Sequence, residues 1–141
     1  MNARRRWWRA EDGHVTAFVV VFTTGILALA GLTLDGGLAL AAAVRANGEA
    51  EAAARAGAQA IDLAEYRATG TVRLEPAKAI ANAQHQLAAQ DATGTVAVSG
   101  DTVTVTVTAS QPAQLLNLVG IGSISVHGTG SAHPVSDGEV P

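Results

Sequence analysis

Twenty consecutive uncharged residues, Val15 to Leu34, constrain this chain more than any other feature of it. As a helix rising about 1.5 Å per residue, the run is as long as the ~30 Å hydrocarbon layer of a bilayer is thick. Eleven of its side chains are Val, Ile, Leu or Phe. Each favours insertion by roughly 0.3–0.6 kcal/mol near the helix centre. Thr16, Thr23, Thr24, Gly25 and Gly31 offset that only in part. The run predicts a single membrane-spanning helix over residues 15–35, preceded by a basic cytoplasmic segment, residues 1–14.

Flanking charge predicts the orientation. Arg4, Arg5, Arg6 and Arg9 precede the run, whereas five basic and ten acidic residues follow from Asp35 onward. Basic flanks stay cytoplasmic, so the remainder is expected outside the cytoplasm. Trp7 and Trp8 stand beside the arginines, where indoles favour the headgroup level. A secreted alternative stays open, with signal peptidase acting after Ala41 in the small-residue stretch Ala39-Leu40-Ala41 and releasing a small binding domain. Arg5-Arg6 also has a twin-arginine flavour, interrupted by Glu11-Asp12. Nucleic acid is not an expected partner, because nine Lys and Arg face twelve Asp and Glu and no second basic stripe follows. The chain has no cysteine, which removes lipoprotein anchors, thiolate metal sites and disulfides. The outer domain must therefore stand on packing, with Tyr66 as the one aromatic residue after the span.

Beyond the span, Leu38 to about Ala68 is alanine-rich and predicts an outward continuation of the membrane helix, with a hinge at Gly36-Gly37 or, preferably, Asn47-Gly48. Ala50, Ala53, Ala54, Gly57, Ala58, Ile61 and Ala64 form a small-residue stripe along it. Thr69-Gly70 should end this helix. Glu75-Pro76 should open a second, running to about Gln90 with Ala79, Ile80, Ala83 and Leu87 on its apolar side.

The period then changes from helical to alternating. Gly94–Ser99 and Thr102–Thr108 predict a hairpin closed by Gly100-Asp101, with Val98 opposite Val103 and Val96 opposite Val105. Ser110 should cap a short helix with Pro112 near its start, Leu115, Leu118 and Val119 facing inward, and Gly120 as its stop. Ser123–His127 supplies a third strand with Ile124 and Val126 inward. The expectation is an α+β fold: an N-terminal transmembrane helix extended into an Ala-rich helix, a second helix, then a small antiparallel sheet in the order β-β-α-β. The outer domain is set at residues 36–127 and a flexible tail at 128–141.

Reactive chemistry is hard to find. His14, His85, His127 and His133 lack metal-ligand spacing. Gly120, Gly122, Gly128 and Gly130 match no nucleotide-binding pattern and read as turns. Glu49 with Glu51, and Asp62 with Glu65, fall on a polar helix face with few bulky residues to wall a pocket. No catalytic residue, cofactor or metal site is expected, and the protein is not expected to be an enzyme. Thr24, Ala28, Gly31 and Asp35 share a helical face whose small residues permit close packing in lipid, which makes that face a candidate assembly surface. The plainer reading of Asp35 is a carboxylate marking the exit from lipid into water.

Gly13 before an apolar span, Gly31-Leu-Thr-Leu-Asp35-Gly36-Gly37 leaving the membrane, and Ala50-Glu-Ala-Ala-Ala-Arg-Ala-Gly-Ala58 resemble the N-terminal segment of the TadE/TadG-like proteins of tight-adherence pilus systems. The resemblance implies a pseudopilin-like minor pilin or assembly subunit of a type IV-related pilus. Its partners would be the lipid bilayer, other pilin-like subunits and a prepilin peptidase cutting between Gly13 and His14. Phe18 stands where the resemblance implies a glutamate. A filament-entering subunit and an uncut, membrane-retained one therefore both stay open.

Overall fold

The computed structural model describes residues 12–135. Arg4, Arg5, Arg6, Arg9, Trp7 and Trp8 lie outside them, and so do the last residues of the expected tail.

Helix α1 (Asp12–Ala58) is continuous over 47 residues, a length of about 70 Å. Its stretch from Val15 is long and apolar enough to cross a membrane. The hinge expected at Gly36-Gly37 or Asn47-Gly48 is absent. No proline interrupts the helix. The glycines' cost of about 1 kcal/mol each is outweighed by docking of the outer half on a sheet. Ala46, Ala50, Ala53 and Ala54 are fully buried there, and the Asn47 side-chain oxygen accepts from the Thr129 backbone N–H at 3.0 Å.

The break comes later than the expected hinge and earlier than the expected end. After Ala58 the chain turns, and α2 (Leu63–Thr69) starts afresh. Its N-cap is Asp62, whose Oδ1 accepts from the N–H groups of Ala64 at 2.9 Å and Glu65 at 3.0 Å. Gly70, in the left-handed region, ends it as expected. A return strand-like segment pairs Ile61 with Leu74. Helix α3 (Pro76–Ala89) follows with Pro76 in its first turn and Ala79, Ala83 and Leu87 buried.

Three strands complete the fold as an antiparallel meander, β1 (Gly94–Ser99), β2 (Thr102–Pro112) and β3 (Ser123–Ala132). The expected register holds, with Val98 opposite Val103 and Val96 opposite Val105. Val103, Val105 and Val107 are fully buried beneath the helices, while the opposite face carries Thr104, Thr106 and Thr108 with Ser125, His127, Thr129 and Ser131 from β3. The architecture is α+β in two layers, α1 and α3 lying on one face of a small open sheet.

Two expectations need correcting. Ser110 and Pro112 do not open a helix: β2 continues through both, and the helical piece is a single 3-10 turn over Leu116–Val119, stopped by Gly120. Of the residues expected to face inward, Leu118 is 84% exposed, Leu115 is 40% exposed with its inner side against Gly31 of α1, and the Val119 side chain lies outside the described ones. The tail expected from Gly128 is also displaced, because Gly128–Ala132 is the second half of β3. Gly128 and Gly130 are buried against α1 so closely that a Cβ at either would collide with its backbone at Ala46–Asn47 and Ala50–Glu51. Glycine is needed there for contact between strand and helix.

Candidate functional site: a carboxylate clasp where the helix leaves its exposed apolar half

The sheet leads to the site by simple geometry. Gly128 meets α1 at Ala46 and Gly130 meets it at Ala50–Glu51, so two strand residues keep pace with four helix residues. That matches rises of about 3.4 and 1.5 Å per residue. Followed backward at the same rate, Ser123, where β3 begins, comes level with the turn of α1 that holds Asp35. The β2–β3 connection (113–122) therefore points down the helix toward its apolar half.

Asp35 closes the contact. Its side chain is 1% exposed and accepts three backbone hydrogen bonds from that connection. Oδ1 receives the Gln114 N–H at 2.9 Å, and Oδ2 receives those of Leu115 at 3.0 Å and Leu116 at 2.7 Å. These N–H groups open the 3-10 turn and would otherwise lack partners, and a carboxylate at such a terminus is favoured by the local dipole as well. Charge-assisted bonds of this kind are about twice as strong as neutral ones. One turn below, Gly31 lies under Leu115, with the position of a Cβ 3.1 Å from the leucine Cβ. The two residues thus form a latch: Gly31 makes room and Asp35 holds.

The four residues of the expected assembly face separate into two pairs. Gly31 and Asp35 are buried by the chain's own loop, so Asp35 does more than mark an exit into water. Thr24 and Ala28 stay exposed below it, the Thr24 hydroxyl returning a hydrogen bond to the Val20 carbonyl at 2.8 Å. Gly13 and His14 fall in the first turn of α1. The backbone pairing of Asp35 could not be read from spacing, because its partners are about eighty positions away.

Several other ionisable groups have structural uses. Asp62 is a cap, and Asp101, in the hairpin turn, accepts the Leu74 N–H at 3.1 Å. Glu51 pairs with Arg55 at 3.4 Å on the exposed side of α1. The His127 ring nitrogen Nδ1 lies 3.2 Å from the Thr108 hydroxyl. His133 follows directly after β3, so extended chain separates the two histidines by about 20 Å. Among the described residues no group of three His, Cys, Asp or Glu could hold a metal ion. No family model, curated protein or solved structure matches the chain.

Proposed function

We propose that this protein is a single-pass, N-in membrane subunit with its α+β domain outside the cytoplasm, acting by association in a pilus-type assembly of the tight-adherence kind, as a minor pilin or assembly subunit. The observation that carries the reading is the unbroken α1: one rigid rod is bare and apolar in its first half and built into a domain in its second. Phe22, Ile26, Leu40 and Val44 stay more than half exposed, at helical spacing that carries the ridge past the end of the apolar run. On a protein inserted in lipid, the upper part of that ridge, at Leu40 and Val44, lies beyond the hydrocarbon and suits a neighbouring helix of similar design.

The membrane-retained form is favoured over a domain released after Ala41. A cut there would fall inside α1 and remove Asp35, leaving the N–H groups of Gln114, Leu115 and Leu116 without their acceptor. Turnover has no part in the proposal.

Intact mass of the native protein from membranes and from medium tests the reading. A membrane form that is full-length, or that begins at His14, supports a retained or a prepilin-processed subunit respectively. A product beginning at Ala42 in the medium overturns both.

A further inference from the structure

We infer that the β2–β3 connection is a second membrane contact: its tip, Leu115 to Ile121, enters the outer edge of the hydrocarbon layer beside α1, so that the domain is fixed to the bilayer at two points. This rests on α1 spanning the membrane, and on no particular assembly partner.

Depth is the first argument. Counted from Val15 at 1.5 Å per residue, Asp35 stands about 30 Å along the helix, at the outer edge of a ~30 Å layer, and Gly31 about 6 Å below it. Leu115 rests on Gly31. Leu115, where the tip begins, is therefore level with the last turn of the span and not above it.

Composition is the second. From Thr102 to Val126 the chain contains no Asp, Glu, Lys, Arg or His. Its tip reads Leu115-Leu-Asn-Leu-Val-Gly-Ile121, with Leu118 84% exposed and Ile121 46% exposed. Large apolar side chains held this openly on a short turn are costly in water and favourable in lipid. The loop meets the span where Leu115 lies against Gly31, and Leu27 and Leu32 on that part of the helix are themselves more than half exposed.

Backbone accounting is the third. Irregular chain enters a bilayer only when its peptide groups find partners within the protein. Here the N–H groups of Gln114, Leu115 and Leu116 donate to Asp35. Those of Ala113, Leu118, Gly120 and Ile121 donate to carbonyls within the same connection, at 3.1 Å each. The carboxylate keeps its charge, and the three N–H groups that donate to it stabilise that charge. The clasp thus satisfies three of the connection's donors as well as fixing it to the helix.

The absence of cysteine allows single-cysteine probes in the otherwise native full chain. Leu118→Cys, Leu27→Cys and Thr129→Cys would each carry an environment-sensitive fluorophore, with the protein in vesicles of phosphatidylcholine containing nitroxide lipids quenching near the headgroups or near the midplane. The expected result is strong quenching of the Leu118 probe by the shallow nitroxide, of the Leu27 probe by the deep one, and of the Thr129 probe by neither. A Leu118 probe that escapes quenching while Leu27 is quenched overturns the loop contact and leaves the span intact. That includes a Leu118 probe reporting a dry environment without quenching, which would mean a protein partner on the tip. An unquenched Leu27 probe would overturn the span itself, and the loop contact with it.

Discussion

The two halves of α1 are one helix governed by opposite packing rules. In Val15–Leu34 the bulky residues are exposed all round the helix, and Phe18 and Phe22 stack on each other at 5.8 Å while staying 67% and 59% exposed. In Asp35–Ala58 the inner side is reduced to alanine and Gly57, and bulk is supplied by the valines of β2. Hydrophobicity separates the halves, since charge is confined to the second, but it does not explain their packing. Side-chain size does: bulk suits a fluid solvent of lipid tails, whereas small residues suit a rigid neighbour that must come close. Asp35 and Gly31 sit at the changeover, where the chain's own loop takes the place of solvent.

The hardest way to break this division is to give the close-packed half a side chain it has no room for. Gly130→Val drives a branched side chain into the backbone of α1 at Ala50–Glu51. The expected loss is about 3 kcal/mol or more, read as a collapse of the thermal transition by circular dichroism. Gly122→Ala, at a position with open space around it, should leave that transition in place. Equal effects from the two would show that strand and helix are not in contact.

Removing the clasp should act locally. Asp35→Ala leaves the Gln114, Leu115 and Leu116 N–H groups without their acceptor. Their hydrogen exchange should accelerate while that of Val103–Val107 stays slow, and Asp35→Asn should fall between wild type and alanine. Unchanged exchange at 114–116 would remove the latch from the account.

Smaller changes sharpen the comparison. Val105→Ala at the centre of the sheet should destabilise the domain by about 2 kcal/mol in denaturant titration, whereas Val21→Ala in the bare half should leave that midpoint unmoved, Val105 being fully buried and Val21 72% exposed. Asp62→Ala should cost about 1 kcal/mol and loosen α2 without disturbing α1, visible as faster exchange in residues 63–69 alone.

Much of this design is legible in sequence, and the failures have physical reasons. The apolar run, the Pro76 helix and the hairpin register follow from local period, and each is found where its pattern places it. Asn47-Gly48 misleads because helix propensity is a local quantity and the splint that overrides it, β3, lies some eighty residues on. Gly128 and Gly130 read as a loose tail for the same reason: glycine in a flexible segment and glycine chosen for close approach are written alike. The Asp62–Glu65 spacing holds a legible signal, an acid three residues before a glutamate at a helix start, which a polar face alone does not require. The clasp itself was only half visible. Asp35 is conspicuous as the first charge after the span, but its partners are backbone groups, which no residue pattern discloses.

The most direct test of the central claim, that α1 crosses the membrane and holds the sheet outside, is labelling of the Leu27→Cys and Thr129→Cys proteins by a membrane-impermeant maleimide on intact spheroplasts. The account predicts that Thr129→Cys is modified from outside without lysis and that Leu27→Cys is modified only once detergent has removed the lipid. Modification of Thr129→Cys only after lysis would contradict the orientation, and equal modification of both residues on intact spheroplasts would contradict the span.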